Sequence, residues 1–176
     1  MKKALRHPKA DAAARQRFRE TLRAHEAREK DIVYIDESGF SRSMPRLHGY
    51  APRGRRCFDT HDWGARTRTN AVGALVGASL LTVALFDATI NADTVHAWLA
   101  RELLPRIGKP SVIVMDNASF HKRPDIREII EAAGHVLEFL PPYSPDLNPS
   151  ERKWAQAKAR RRKTGHTLDQ IFANLF

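Results

Sequence analysis

Residues 141–154 read Pro-Pro-Tyr-Ser-Pro-Asp-Leu-Asn-Pro-Ser-Glu-Arg-Lys-Trp, and the segment changes character halfway along. Prolines stiffen the first part, because each ring fixes the backbone angle φ and keeps the preceding residue out of the helical region. Asn148 then suits a helix N-cap, Pro149 suits the first helical position, and no helix breaker follows before Gly165. The segment therefore predicts a stiff arm over 141–149 that leads into a helix over 150–162.

Glu151 places a carboxylate in the first turn of that helix. As a capping residue, it would reach back to the backbone N–H of Asn148 in a capping box. As a site residue, it would join Asp36 and Asp116, which the predicted elements bring to the same region. This segment alone leaves both interpretations open.

Composition places the chain among soluble globular domains. Its 176 residues suffice for one core, and 42% hydrophobic with 8% aromatic residues are globular values. The single Cys57 excludes an internal disulfide and a multi-cysteine zinc site. No apolar run approaches the roughly 18 residues of a membrane span, and no signal peptide is recognisable. We therefore expect a cytoplasmic protein without a membrane partner.

The net charge of +10 is concentrated at the two ends of the chain. Residues 1–30 carry ten basic and four acidic side chains, and residues 151–176 carry seven and two, whereas the middle is nearly neutral. Lysine and arginine bind polyanions by releasing counterions from phosphates. The distribution favours a nucleic-acid partner over a surface that is merely basic.

Hydrophobic periodicity predicts a mixed sheet covered by helices. Antiparallel strands come first and strand–helix alternation follows, which is typical of an α/β fold. The predicted strands are 31–36, about 56–58, 70–77, 80–86, 111–116 and 135–140. The predicted helices are 9–29, 91–104, 124–133, 150–162 and a short last one from 167, with Leu168, Ile171, Phe172 and Leu175 apolar.

Two carboxylates lie where predicted strands end. Asp36 closes the first strand and Asp116 closes the apolar strand 111–116, so both are expected at one edge of the sheet. Together with Glu151 they could not all stay ionised without cations, since like charges raise one another's pKa. Mg²⁺ prefers such oxygen ligands, and two ions about 4 Å apart support phosphoryl displacement.

Each acid also has a structural interpretation. Asp36 and Asp116 are suitable turn residues, and the neighbouring Glu37 competes with Asp36 for the site. Because side chains alternate along a strand, only one of that pair can face the site. Residue chemistry alone does not choose between them.

Three motifs resemble the DDE transposases of the mariner-like superfamily, and the bacterial branch numbered 630 is the most similar. They are Tyr34-Ile-Asp-Glu-Ser-Gly-Phe40, Val114-Met-Asp-Asn-Ala-Ser-Phe-His121 and the proline-rich segment through Trp154. The 34 residues between Asp116 and Glu151 match the spacing of that superfamily. The resemblance covers about 31–160.

The resemblance implies an RNase H-like fold, two Mg²⁺ or Mn²⁺ ions, and cut-and-paste DNA transposition. It assigns the catalytic and metal-binding acids to Asp36, Asp116 and Glu151. The implied organisation is a basic N-terminal helix or linker over 1–30, a catalytic domain over 31–165 and a short helix over 166–176. Water would cut a phosphodiester at the element's end, and the resulting 3′-OH would then attack target DNA.

Residues near the acids have predicted supporting roles. Asn117 and His121 are expected either to orient a carboxylate or contact phosphate, or to be a turn-capping Asn and a surface His. Trp154 either stacks on a base or packs in the core, and packing is favoured. The predicted phosphate contacts are Lys122, Arg123, Arg152, Lys153, Lys158, Arg160, Arg161, Arg162 and Lys163.

The expected partners are double-stranded DNA, comprising element ends and target, and a second copy of the chain on that DNA. Members of the family usually carry an N-terminal helix-turn-helix region, and this chain begins after it, so an upstream helix-turn-helix product is a further expected partner. A non-catalytic DNA-binding remnant and another RNase H-like nuclease are the alternative functions. Mg²⁺-dependent DNA cleavage distinguishes the remnant from a transposase.

Overall fold

The computed structural model describes residues 7–42, 50–56, 58 and 68–173. Five strands form one sheet, and short π- and 3₁₀-helical turns accompany the helices. The strands are β1 Ile32–Ser41, β2 Arg68–Val76, β3 Ser79–Phe86, β4 Val112–Met115 and β5 Val136–Phe139. The helices are α1 Ala12–Glu26, α2 Ala92–Trp98, α3 Pro124–Ala132, α4 Ser150–Thr164 and α5 Leu168–Phe172.

The sheet has the order β3-β2-β1-β4-β5, with β1 at its centre. The first three strands pair antiparallel, whereas β4 lies parallel to both β1 and β5. The expected mixed sheet, with antiparallel strands first and strand–helix alternation afterwards, is confirmed.

Helices cover both faces of the sheet because side chains alternate along its strands. On one face, Val33 and Ile35 of β1 pack with buried residues of α2 and α3. On the other face, Phe40 packs with residues of α4 and α5, and Ile32 packs with residues of α1. Consecutive residues of β1 therefore pack against different helices.

The prediction that the first strand ends at Asp36 is wrong. β1 continues to Ser41, because β2 pairs with it as far as the register Ser41↔Arg68. Gly39 is a close-approach position rather than a turn, since the side chain of Arg68 lies where a Cβ of Gly39 would be. Asp36 thus lies inside the strand.

Two other predicted elements also differ. Of the strand expected at about 56–58, Arg56 and Phe58 are not in a strand, and Cys57 lies outside the described residues, as do residues 43–49 of the loop expected over 41–56. The helix expected over 91–104 changes form after Trp98, becoming a π-helix at Leu99–Leu103 and a 3₁₀-helix at Leu104–Arg106. Pro105 has no backbone N–H, so regular α-helical bonding cannot continue through it.

The end of α4 and the start of α5 lie at the signals in the sequence, whereas the N-cap of α4 is Pro149 and not the expected Asn148. Gly165 ends α4 with a φ of 71°, a left-handed conformation that glycine adopts readily. Thr167 and Gln170 form the expected capping box of α5. Leu175 lies outside the described residues. None of the helices in the described ranges has both the length and the apolar character needed to cross a membrane.

Candidate active site

Asp36 and Asp116 occupy equivalent positions relative to two neighbouring parallel strands, β1 and β4. The last paired positions of β1 and β4 are Tyr34 and Val114, and each aspartate follows two residues later. Neighbouring strands lie about 4.8 Å apart, and residues two apart lie on the same face. The strand register therefore places the two backbones side by side where β4 ends.

Asp36 is a buried carboxylate with one oxygen held by an indole. Its relative exposure is 9%, and the Nε1 of Trp154 donates a hydrogen bond to its Oδ2 over 3.0 Å. The pKa of Asp36 is raised to about 7, first by burial and then by the negative charges of Glu151 and Glu37, while hydrogen bonds from Trp154 and from the backbone of Glu37 act in the opposite direction. A nearby cation would therefore favour the ionised form of Asp36.

Trp154 reaches Asp36 because the sheet leaves room for its ring. Gly73 is the partner of Asp36 on β2, and a Cβ at Gly73 would lie 2.7 Å from Cη2 of Trp154. Phe40 and Phe172 contact the indole edge-on, with ring centroids 6.3 and 6.0 Å away. The expectation that Trp154 packs in the core is confirmed, and its hydrogen bond to Asp36 was missed.

Glu151 lies in the first turn of α4 and is exposed. The capping-box interpretation is wrong, because the backbone N–H of Asn148 donates to the carbonyl of Pro145 over 2.9 Å. Asn148 instead accepts the N–H of Ser150 at its Oδ1 over 3.1 Å. The carboxylate of Glu151 is close enough to Asp36 to raise the pKa of that group.

Asp116 is oriented by a histidine. Its Oδ1 lies 2.6 Å from Nδ1 of His121 and accepts the backbone N–H of Ala118 over 2.9 Å. The hydrogen bond from His121 is the main reason that the pKa of Asp116 is lowered. Both of these hydrogen bonds use the same oxygen, so they fix the carboxylate and leave Oδ2 to face other groups.

His121 connects Asp116 to Glu37. Its ring is fully buried, and Nε2 lies 2.8 Å from Oε1 of Glu37. Burial by itself would lower the pKa of His121, but the hydrogen bonds and charges of Asp116 and Glu37 outweigh it and raise the pKa to about 9. The surface-His interpretation is therefore wrong, and Glu37 contacts a partner on the opposite face of β1 from Asp36.

The donor set of this region fits a hard divalent cation. Glu37, Asp116 and His121 offer possible ligand atoms within 4.8 Å of one another. Asp36 and Glu151 are not members of that group, but the charge of Glu151 acts on Asp36. Carboxylate oxygens are the ligands that Mg²⁺ and Mn²⁺ prefer, and a cation would relieve the repulsion that raises the pKa of Asp36.

Asn117 supports the backbone near Asp116. Its Nδ2 donates to the carbonyl of Leu140 over 2.6 Å, which joins the end of β4 to the residue before the arm. In the described structure its amide therefore bonds backbone, not a site carboxylate.

The predicted phosphate contacts fall into two groups. Some already have partners in the protein. Arg123 bonds Asp93 and Asp125, Arg161 donates to the carbonyls of Ser41 and Arg42, and Lys158 lies 5.5 Å from the ring centroid of Phe40. The remaining predicted contacts are exposed or half-buried, on α4 or just before α3: Lys122, Arg152, Lys153, Arg160, Arg162 and Lys163. Arg160 among them also interacts with another group of the protein.

Solved structures of one transposase have a similar fold. The "Mos1 transposase paired-end complex with left transposon end" is 19% identical over 99% of this chain and 59% of that chain, with a TM-score of 0.71. The "Crystal structure of the Mos1 mariner paired end complex with Mn" is 21% identical over 99% and 60%, with a TM-score of 0.67. The "Crystal structure of the catalytic domain of Mos1 mariner transposase" is 19% identical over 97% and 86%, with a TM-score of 0.63. The expected RNase H-like α/β fold, with helices on both faces, is confirmed.

The chain spans about three fifths of the longer transposase chains that it resembles. None of the curated proteins compared with it matches. A family model described as "DDE superfamily endonuclease" matches residues 31–171, which is most of the sequence. The chain belongs to the DDE superfamily of endonucleases.

Proposed function

We propose that this chain is the catalytic domain of a DNA transposase of the mariner-like superfamily, in the bacterial branch numbered 630. The observation that carries the proposal is the buried Asp36, whose pKa is raised to about 7 beside the carboxylate of Glu151. Carboxylates with a strongly raised pKa cluster at functional sites, and a bound cation would offset the charge of Asp36 and Glu151. The proposed organisation keeps a basic segment over 1–30, the catalytic domain over 31–165 and a short helix over 166–176.

Asp36, Asp116 and Glu151 are the proposed catalytic and metal-binding acids. The parallel register of β1 and β4, in which Tyr34 is paired with Val114, supports a shared site for Asp36 and Asp116 two residues further on. The charge coupling between Asp36 and Glu151 supports the third position. In this proposal Asp36, Asp116 and Glu151 would together hold two divalent ions.

Mg²⁺ or Mn²⁺ at these carboxylates would activate the attacking hydroxyl and stabilise the leaving oxygen of a phosphodiester. The protein's own residues keep the acids in place for this. Trp154 fixes Oδ2 of Asp36, and His121 fixes Oδ1 of Asp116. Asn117 holds the chain after β4 against Leu140, and so supports Asp116 through the backbone.

DNA is the proposed substrate and partner. The last turn of α4 carries Arg161, Arg162 and Lys163, and the sequence places further basic residues along the same helix. Such residues bind the phosphate backbone without reading sequence. The related transposase is described in complexes with a transposon end, which supports DNA ends as substrate, followed by strand transfer to target DNA. A homodimer on DNA and an upstream helix-turn-helix product are the proposed protein partners, and the proposed location is the cytoplasm.

Nicking of supercoiled plasmid tests the proposal. With Mg²⁺ or Mn²⁺ the purified protein is expected to nick the plasmid, and with EDTA it is expected only to bind. Asp36→Asn, Asp116→Asn and Glu151→Gln should each abolish nicking while retaining DNA in a gel-shift measurement. Binding without cleavage by the unaltered protein would identify a non-catalytic remnant. Full nicking by Asp116→Asn would overturn the assignment of the site.

A further inference from the structure

Arg15 of α1 is a buried cation that contacts the arm. Its side chain is 4% exposed, whereas Arg17 and Arg23 of the same helix are exposed. Nη1 donates to Oδ1 of Asp146 over 2.8 Å, and Nη2 donates to Oδ2 over 2.6 Å. This two-pronged geometry fixes both the distance and the orientation of the two groups.

Apolar contacts place α1 where this ion pair can form. Phe18 and Leu22 are buried in a cluster with Val114 of β4 and with Leu140, and Leu147 of the arm packs against the same cluster. The helix therefore contacts both the strand that leads to Asp116 and the segment that leads to Glu151. α1 thus packs against the strand and the arm that lead to two of the proposed site residues.

The arm transmits this contact to α4 over a short distance. Asp146 lies in the 3₁₀ turn Pro145–Leu147, which is closed by the hydrogen bond from the N–H of Asn148 to Pro145. The side chain of Asn148 then accepts the N–H of Ser150, the first residue of α4. Since prolines stiffen this segment, a displacement of Asp146 would move the start of α4 with it.

We propose that Arg15 is a positioning residue, which holds the arm through Asp146 and thereby sets where Glu151 stands relative to Asp36. The proposal rests on the proposed function, because it takes Glu151 to be a metal-binding acid. The guanidinium of Arg15 is little exposed and already pairs with Asp146, so it is not placed to bind phosphate, unlike the exposed Arg17 of the same helix. Its effect on chemistry is exerted through the arm.

Arg15→Met is the principal variant, and Arg17→Met is its matched control. Both changes remove one positive charge from α1, but Arg17 is exposed. Arg15→Met is expected to raise the Mn²⁺ concentration for half-saturation about tenfold, the range seen when groups that orient metal ligands are removed. It should also speed amide hydrogen exchange over 145–152 in the metal-free protein. Arg17→Met should change neither quantity.

Asp146→Asn and the double variant Arg15→Met/Asp146→Asn complete the test. If the two residues act through one contact, the double variant should bind Mn²⁺ about as weakly as either single variant, not with the product of the two losses. The double variant also removes an unpaired buried charge, so it stays measurable should a single variant fold poorly. Unchanged exchange and unchanged Mn²⁺ affinity in folded Arg15→Met would overturn the proposal.

Failure of the proposed function gives a different result. If the unaltered protein neither nicks DNA nor binds Mn²⁺, the transposase assignment fails, whatever the Arg15 variants do. Faster exchange over 145–152 in Arg15→Met would still establish that Arg15 holds the arm. The inference about position and the proposal about chemistry are thus separately testable.

Discussion

Trp154 fastens the helix that carries Glu151 to the strand that carries Asp36, because its Nε1 lies 3.0 Å from Oδ2 of Asp36. Trp154 and Glu151 are three positions apart on α4, so they lie on neighbouring parts of one helix face. The indole is 1% exposed and packs over Gly73 of β2. The relative position of two acids from distant parts of the chain therefore depends on one buried side chain.

Trp154→Phe is expected to reduce nicking about tenfold while costing about 1–3 kcal/mol of folding free energy. The substitution removes the hydrogen bond to Asp36 and retains an aromatic ring. Initial rates at several Mn²⁺ concentrations, with chemical denaturation in parallel, measure the two effects. The loss of activity should exceed what the loss of folded protein explains.

Trp98→Phe is the matched control. Trp98 is 3% exposed on the opposite face of the sheet, and among the described residues its Nε1 has no hydrogen-bond partner. The same loss of ring size there should lower stability without changing the Mn²⁺ dependence of folded protein. Equal changes in Mn²⁺ dependence for both variants would contradict the special role of Trp154.

Gly73→Ala is expected to destabilise the fold by about 1–3 kcal/mol, the usual cost of overpacking. A Cβ at Gly73 would lie 2.7 Å from Cη2 of Trp154, so the indole or the strand beneath it must shift, and we expect the hydrogen bond to Asp36 to weaken. The thermal denaturation temperature and the nicking rate should both fall. Gly108→Ala is the control, since a Cβ there meets nothing within 4 Å. Normal activity in Gly73→Ala would mean that the indole tolerates displacement.

The sequence predicted the order of the elements better than it predicted the contacts between their side chains. Apolar runs identified the strands at the centre of the sheet, and Gly165 and the Thr167–Gln170 pair identified helix ends, because these signals are local. The end of β1 was misjudged, since Glu37-Ser-Gly is a turn signal that pairing with β2 overrides. Tertiary pairing decides such cases, and a local pattern does not contain it.

Contacts around the acids could be predicted only in part. Alternation along β1 correctly indicated that Asp36 and Glu37 face opposite sides. It did not indicate that Glu37 would meet His121, because that contact depends on how the turn after β4 folds back. The Arg15–Asp146 pair joins residues 131 positions apart, and no sequence pattern distinguishes Arg15 from the exposed arginines near it.

Asp36→Asn is expected to stabilise the metal-free protein by up to about 4 kcal/mol near neutral pH. The folded pKa of about 7 lies above the ordinary 3.8, so folding favours the protonated carboxyl. Below pH 3.8 both states of the unaltered protein are protonated, and the two proteins should be equally stable in this respect. As pH rises towards 7, only the unfolded state ionises, and the stability of the unaltered protein falls relative to Asp36→Asn.

Urea denaturation in EDTA between pH 4 and 8 measures this gap. Adding Mn²⁺ should stabilise the unaltered protein and have little effect on Asp36→Asn, because a ligand stabilises only the state that binds it. The exposed Asp169→Asn serves as the control for the change of residue type. A gap that is constant across this range would contradict the raised pKa of Asp36.

Glu37→Gln is expected to lower the pKa of His121 and to weaken nicking about tenfold, because His121 loses one of the two carboxylates that hold it against Asp116. In the unaltered protein the folded pKa of about 9 exceeds the ordinary 6.5, so the stability that His121 contributes is complete below pH 6.5 and is lost as pH rises through about 9. In Glu37→Gln that loss should occur over a lower pH range.

Nuclear magnetic resonance titration of the imidazole in metal-free protein measures the shift in the pKa of His121 directly. Glu128→Gln, an exposed change on α3, should leave the titration unaltered, and an unchanged His121 titration in Glu37→Gln would show that Asp116 alone sets the charge of the ring.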